Sequence, residues 1–267
     1  DKAIWSRELA EAAEALVEVG RALWAGSEED LARLAASHGQ TSRVEAEALV
    51  GRGTRLRRKL GHYLGATFYY GGQWYWGPDR LHYLERRLDE LGLRRGGREL
   101  LVEPPSVQAG PGAGRGQRLE FFASLRSPYT AIAAGPVFEL AERTGLELRI
   151  RPVLPMVMRG LPVPKAKRLY IVRDVKREAD RLGIPFGRIS DPVGRPVERA
   201  LAVYRLAVEL GREIAFLRSF FEQVWAQGVD AGSDRGLKRI VEAAGFTWPE
   251  ARRRLTRDEW RTEADDN

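Results

Sequence analysis

The sequence predicts an α/β protein, and two stretches of its 267 residues carry this prediction. Residues 119–150 show an apolar run, an amphipathic stretch and a second apolar run, the strand–helix–strand order of a βαβ unit with parallel strands. Residues 66–76 form two aromatic runs around Gly71-Gly72, which is typical of a β-hairpin. Apolar residues at helical spacing fill most of the remainder.

Helices are predicted on both sides of the hairpin. The first has an apolar stripe made of Leu9, Ala12, Ala13, Leu16, Val17, Val19 and Leu23. The second begins after the N-cap Ser27 and covers about 28–37, and the third covers about Ser42–His62. After the hairpin, a helix is expected from about Asp79 to Leu91.

The helix of the βαβ unit has a clear beginning. Ser127 is a favoured N-cap residue, and Pro128 is favoured at the first helical position. Gly145 suits the end of this helix. Further helices are predicted over 165–182, over 196–227 with a break near Gly211, and over 233–245.

A segment rich in glycine and proline divides the chain. Residues 103–117 have no apolar periodicity and are therefore predicted to be a flexible linker. The predicted organisation is a first block at 1–100, a linker at 101–117 and a second block at 118–267.

Composition excludes several classes of site. The chain has no cysteine, which excludes a disulfide framework, a thiolate metal site and dithiol redox chemistry. Its three histidines are His38, His62 and His82, so neither a Ser-His-Asp triad nor a histidine metal cluster is expected in the second block. No apolar run reaches the ~18 residues of a membrane span, and no signal-peptide pattern opens the chain. We expect a cytoplasmic protein without a membrane partner.

The net charge of +7 does not by itself indicate a nucleic-acid partner. Basic residues alternate with acidic ones along the predicted helices, which is typical of a solvated face rather than of a concentrated basic patch. We therefore expect no nucleic-acid binding, whereas an anionic small molecule would suit a basic pocket.

Ser127 is the candidate catalytic residue. A helix N-terminus offers unpaired N–H groups and partial positive charge, which stabilise an anion such as a thiolate. Because the chain has no thiol, the thiol would come from a ligand, and the Ser127 hydroxyl would donate a hydrogen bond to it. In the alternative interpretation, Ser127 only caps the helix.

The proline-rich segment at 151–167 follows the second predicted strand. Its prolines favour an extended loop, and Arg159, Lys165 and Lys167 are candidates to bind a carboxylate. The alternative is that these three residues are solvated surface charges.

The residues from Leu119 to Ala133 resemble the opening of the DsbA-like thioredoxin-fold family. The resemblance is closest to the 2-hydroxychromene-2-carboxylate isomerases and the kappa-class glutathione transferases, which have Ser-Pro-Tyr or Ser-Pro-Phe where DsbA has Cys-Pro-His-Cys. Here the matching residues are Ser127, Pro128, Tyr129 and Thr130. The resemblance implies a thioredoxin-like fold with large helical insertions, in which Ser127 contacts the glutathione sulfur and Pro128 and Tyr129 line the site.

The first block resembles the other end of the same fold. The motif around Asp79 and Arg80 is similar to the family's closing Trp-Gly-Gln-Asp-Arg-Leu, which implies that both residues help to bind glutathione. Ala66 stands where the family has a cis-proline. The chain therefore resembles two partial DsbA-like repeats, as in a tandem duplication truncated at both ends. In the alternative, the hairpin of the first block completes the sheet of the second block, as in a circular permutation.

The resemblance implies a glutathione-dependent isomerase or transferase in which Ser127 activates the thiol. Glutathione would be the co-substrate and the substrate an electrophile or aromatic carboxylate, and the resemblance allows a homodimer. A different class of function is a non-catalytic thioredoxin-fold binding module, which the missing cysteines and Ala66 favour. Fold alone does not choose between them.

Overall fold

A computed structural model describes residues 15–39, 42–95, 97, 99–104 and 106–267. The chain divides into two compact units, Asp1–Gly61 and His62–Asn267. This division differs from the one predicted at the linker, because the hairpin and the helix after it group with the second block.

The first unit is helical wherever it is described. Helix α1 is described over 15–25, α2 spans Glu28–His38 and α3 spans Arg43–Lys59. The predicted N-cap Ser27 is confirmed, since it accepts a hydrogen bond from the Asp30 N–H, and Ser42 in addition forms a reciprocal capping box at the start of α3. The first members of the predicted apolar stripe, Leu9, Ala12 and Ala13, lie outside the described residues.

The predicted hairpin is confirmed at the start of the second unit. Strands β1 (Thr67–Tyr70) and β2 (Gln73–Trp76) are antiparallel, with Thr67 opposite Trp76. Gly71 and Gly72 both have positive φ, the conformation that a two-residue turn of this hand requires. A 3-10 turn at Pro78–Arg80 leads into α4 (Leu81–Glu90).

The predicted βαβ unit is also confirmed. Strand β3 (Arg118–Ala123) pairs in parallel with β4 (Glu147–Pro152), and α5 (Pro128–Thr144) connects them. Gly145 ends α5 in the left-handed conformation.

The remaining chain forms six helices in the part that the structure describes: α6 (Lys165–Leu182), α7 (Arg195–Glu209), α8 (Glu213–Trp225), α9 (Asp234–Ala243), α10 (Trp248–Arg254) and α11 (Trp260–Asp266). The predicted break near Gly211 is confirmed, because this residue has positive φ between α7 and α8. Side chains such as Leu201, Phe216, Phe220 and Ile240 form one buried core among these helices and pack against α5.

The hairpin does not extend the parallel sheet. Within the described residues, β1–β2 and β3–β4 are separate two-stranded sheets with no hydrogen bonds between them. The predicted alternative, in which the hairpin completes the second block's sheet, is therefore not observed. Instead, the Trp76 backbone N–H of the hairpin, the Arg80 side chain of the 3-10 turn and the Tyr83 side chain of α4 donate hydrogen bonds to side chains of α6 within the same unit.

The predicted linker is attached to the fold at both ends. The N–H groups of Leu101 and Val102 donate to the Glu85 carboxylate on α4, at 2.7 and 3.0 Å. Near β3, the Gly112 and Gly114 N–H groups donate to carbonyl oxygens at the end of α5. The stretch predicted to be a flexible linker thus has hydrogen bonds to the fold near each of its ends.

Candidate active site

The start of α5 is built as the sequence predicts. Ser127 has extended backbone angles, and its Oγ accepts a hydrogen bond from the Thr130 N–H at 3.2 Å. Pro128 occupies the first helical position, where no N–H is needed. The Ser127 side chain is half-buried, and its own O–H donates to no acceptor among the described residues. A hydroxyl proton at a helix N-terminus is therefore available to a ligand anion.

Tyr129 joins this helix start to a buried carboxylate on α6. Its hydroxyl donates to Asp174 Oδ2 at 2.7 Å, and Asp174 is only 2% exposed. Burial and the negative charge of Asp174 raise the pKa of Tyr129 well above its ordinary value. Tyr129 therefore stays protonated and acts as a hydrogen-bond donor over the physiological pH range.

Arg80 supplies the counter-charge from the first block. Its Nε lies 3.1 Å from both carboxylate oxygens of Asp174, and its Nη1 lies 2.6 Å from Asp79 Oδ2. Although burial opposes the charge, the hydrogen bonds and the charges of Asp174, Glu178 and Asp79 raise the pKa of Arg80 above its usual range. The structure thus connects the predicted residues Asp79 and Arg80 with Tyr129 through Asp174.

An aromatic wall adjoins this network. The Tyr170 hydroxyl donates to Asp174 and accepts from the Trp76 backbone N–H, at 3.2 Å in each case. The ring centroids of Tyr63 and Trp76 each lie 6.3 Å from that of Tyr170. The Lys167 ammonium stands 5.8 Å from the centre of the Tyr63 ring. The Lys167 ammonium thus lies beside this aromatic wall, in the first turn of α6.

The other predicted cations are placed differently. Arg159 ends the short turn at Met156–Arg159, and Lys165 is the first residue of α6. Both side chains are exposed, and neither has a hydrogen bond or ion pair to the start of α5 in the described part of the chain. Of the three predicted carboxylate-binding residues, only Lys167 touches the aromatic wall.

Ala66 lies at the entry to β1. It is exposed, has a φ of 52°, and its carbonyl oxygen accepts a hydrogen bond from the Gly77 N–H at 3.2 Å. No cis peptide bond occurs among the described residues. This loop therefore lacks both the proline and the cis bond that the resemblance implied at this position.

Asp174 and Tyr170 were not among the predicted site residues, although Asp174 accepts the hydrogen bonds that hold the network together and Tyr170 donates one of them. The pattern that could have indicated them is an aspartate four residues after a tyrosine, which places both side chains on the same buried face of α6. A buried aspartate requires a partner, so this pattern indicates a cation brought from elsewhere in the chain.

No group of three or more potential metal ligands occurs in the described residues. Over the same residues, no helix is long and apolar enough to cross a membrane.

The family model of the DSBA-like thioredoxin domain matches residues 118–267, which is more than half of the chain. This chain belongs to the DSBA-like thioredoxin-domain family. The match contains the βαβ unit and the helices that follow it, so the helix-rich thioredoxin-like architecture predicted from the sequence is confirmed. At the start of α5 this chain has Ser127 and Thr130, and its sequence has no cysteine.

Solved structures of other proteins are similar to part of this chain at low sequence identity. A 2-hydroxychromene-2-carboxylate isomerase is 19% identical, with a TM-score of 0.46 over 55% of this chain and 75% of its own. A probable DsbA oxidoreductase from Streptomyces coelicolor is 20% identical, with a TM-score of 0.39 over 56% of this chain and 72% of its own. No curated protein matches the sequence of this chain.

Proposed function

We propose that this DSBA-like protein is a glutathione-dependent isomerase or transferase in which Ser127 activates the glutathione thiol. The observation that carries the proposal is the connection of Asp79 and Arg80 to the start of α5 through Asp174. Residues that the family resemblance assigns to glutathione binding come from both blocks and lie in one compact unit.

The residues at the start of α5 fit a thiol ligand. Ser127 Oγ uses a lone pair to accept from Thr130, which leaves its O–H to donate to a sulfur anion. The N-terminus of α5 adds partial positive charge at the same place. Both effects favour the thiolate, so the pKa of a bound thiol would fall.

Glutathione as co-substrate would supply a nucleophilic thiolate for addition to an electrophilic carbon, and the thiol proton would pass to solvent. As the C–S bond forms, the π bond of that carbon would open and its electron pair would move onto the conjugated electron-withdrawing group. In isomerisation, rotation about the resulting single bond would be followed by C–S cleavage, which restores the π bond. In transfer, the C–S bond would remain and the displaced electron pair would take up a proton from solvent. The chain's own task is to orient the reactants: Asp79 would bind the glutamyl ammonium group. Lys167, with Arg159 and Lys165 beside it in sequence, would attract a carboxylate, and Tyr63 and Trp76 would face an aromatic ring.

The second candidate is a non-catalytic binding module. The observation that favours it is Ala66, which is exposed in a loop without the cis-proline that the resemblance implies. In this interpretation Ser127 only caps α5, and the Asp174 network only stabilises the fold.

Glutathione titration of the full chain separates the two candidates. Calorimetry would measure affinity, and thiolate ultraviolet absorbance against pH would measure the pKa of the bound thiol. We expect wild type to bind and to lower this pKa, Ser127→Ala to lose the lowering, and Ser127→Thr to restore most of it. Ser233→Ala is the matched control, because Ser233 caps α9 in the same way but lies elsewhere. Absence of binding at millimolar glutathione would contradict the enzyme and leave the binding module.

A further inference from the structure

A cavity of about 490 Å³ lies among β2, α4 and the C-terminal half of α6. Its size falls within the range of small-molecule sites. Tyrosine rings and guanidinium groups line most of it: Tyr75, Tyr83, Arg86, Arg87, Arg177 and Arg181. None of the residues proposed to bind glutathione lines this cavity, so it is a separate site.

The cavity carries an excess of positive charge. Four arginines face two acids, Glu90 and Asp180. Asp180 is bound by Lys176 on the same helix, and Glu90 lies 3.1 Å from Arg87 Nη1. Arg181 in turn pairs with Glu178. The four arginines and Lys176 still outnumber the three carboxylates Glu90, Asp180 and Glu178, so an anion entering the cavity would meet net positive potential.

The two arginines of α6 are held in place before any ligand binds. The guanidinium carbon of Arg177 lies 4.8 Å from the Tyr75 ring centre and 5.1 Å from that of Tyr83. Arg181 donates to Glu178 at 2.7 Å. Because these side chains are already ordered, a ligand that bound them would lose less side-chain entropy.

The opposite wall is more exposed to solvent. Arg86 and Arg87 lie on consecutive positions of α4 and are exposed. Tyr83 stays neutral between the walls, since burial and its hydrogen bond to Glu178 raise its pKa to about 12. The arrangement combines two guanidinium groups held by neighbouring side chains with two exposed guanidinium groups around aromatic rings.

We propose that this cavity binds the phosphate group of a small molecule. Guanidinium forks match the oxygens of a phosphate in charge and geometry, and several arginines together favour a dianion over a monoanion. The chemistry shared by the possible ligands is the phosphate itself, free or carried as a monoester. The rings of Tyr75 and Tyr83 would add contact area for a planar ester group.

Calorimetric titration of the full chain with inorganic phosphate, phenyl phosphate and benzoate tests the proposal. We expect both phosphates to bind and benzoate to bind at least about tenfold more weakly, since it carries one charge instead of two. Tighter binding of phenyl phosphate than of inorganic phosphate would identify the ligand as a monoester, and equal binding would identify it as the free ion.

The matched variants are two double substitutions of equal charge change. Arg86→Gln with Arg87→Gln removes the two exposed arginines of α4 that line the cavity, and Arg168→Gln with Arg173→Gln removes two exposed arginines of α6 outside it. We expect the first to weaken phosphate binding about tenfold or more and the second to change it less than about twofold. If both double variants weakened phosphate binding equally, the effect would come from general surface charge, and this would overturn the site. Absence of phosphate binding, or equal affinity for benzoate and phosphate, would also overturn it. Arg177→Lys, which keeps the charge but loses the fork, should also weaken binding.

Discussion

The hydroxyl of Tyr129 donates a 2.7 Å hydrogen bond to Asp174, a carboxylate that Arg80 binds from the other side. Tyr129 lies in the first turn of α5, which Ser127 caps, and Arg80 follows the hairpin of the first block. Asp174 therefore sets the position of the hairpin segment relative to the start of α5. In the enzyme interpretation this carboxylate holds the glutathione-binding residues together, and in the binding-module interpretation it only stabilises the fold.

Replacing Asp174 with alanine should strongly destabilise the protein. The substitution leaves the Arg80 charge buried without its main partner and the Tyr129 and Tyr170 hydroxyls without their acceptor. Breaking a buried ion pair in this way costs about 3–5 kcal/mol. Urea unfolding of the full chain followed by circular dichroism would measure the change in the free energy of unfolding.

Asp180→Ala is the control for this substitution. Asp180 lies on the same helix and pairs with Lys176, but both side chains are about half exposed, at 62% and 49%. An exposed pair of this kind contributes at most about 1 kcal/mol. Similar losses in the two variants would mean that the Asp174 network does not hold the unit together.

The free energy of unfolding should decrease below about pH 6.5 because of His82. Its side chain is fully buried, and neither ring nitrogen has a hydrogen-bond partner in the described part of the chain. Burial lowers its pKa, as do Arg181, Arg86 and Arg80, against the opposing effect of Glu178. The unfolded chain therefore binds a proton first as pH falls, and stability decreases from about pH 6.5 down to the folded pKa.

Comparing wild type with His82→Leu isolates this contribution. The difference in the free energy of unfolding should change by up to about 1.4 kcal/mol per pH unit within that window and stay constant above it. The exposed His38 serves as the control through His38→Ala. A pH-independent difference between wild type and His82→Leu would show that His82 does not titrate differently on folding.

Much of the local structure could be predicted because its causes are local. The caps at Ser27, Ser42 and Ser127 and the Gly71-Gly72 turn each depend on residues within one or two turns of chain. The helix α10 was not predicted individually, although Thr247 and Glu250 form a capping box at its start. Its apolar face is too short to give a clear period.

The network around Asp174 could not be predicted from patterns, because its parts are brought together by packing. Arg80 and Asp174 are separated by 94 positions, and nothing in either local sequence identifies the other as a partner. Likewise, Arg177 and Arg181 fit the pattern of a solvated helix face, yet they line a cavity under the hairpin and α4. Sequence periodicity shows which face of a helix is charged but not what lies above it.

Proline at position 66 should destabilise the protein instead of restoring the family's loop. Ala66 has a φ of 52°, whereas the proline ring fixes φ near −65°. The loop would have to change its path, at an expected cost above about 1 kcal/mol. Thermal unfolding of Ala66→Pro beside Ala66→Gly checks this, since glycine accepts the observed angle and should leave the melting temperature almost unchanged. A stabilised Ala66→Pro would mean that the loop favours the family's conformation.

Adding a single methyl group at Gly114 should destabilise the second unit. Gly114 is buried where the linker meets α5, and a Cβ there would lie 2.4 Å from Leu146 Cγ and 2.7 Å from its Cδ2. Such overpacking typically costs about 1–3 kcal/mol, because Leu146 or the docked backbone must move. Gly110→Ala is the matched control in the same segment, since a Cβ at Gly110 would have no atom within 4 Å. Urea unfolding should give a lower free energy of unfolding for Gly114→Ala than for Gly110→Ala. Equal values would mean that the segment is not docked and behaves as the flexible linker that its composition predicts.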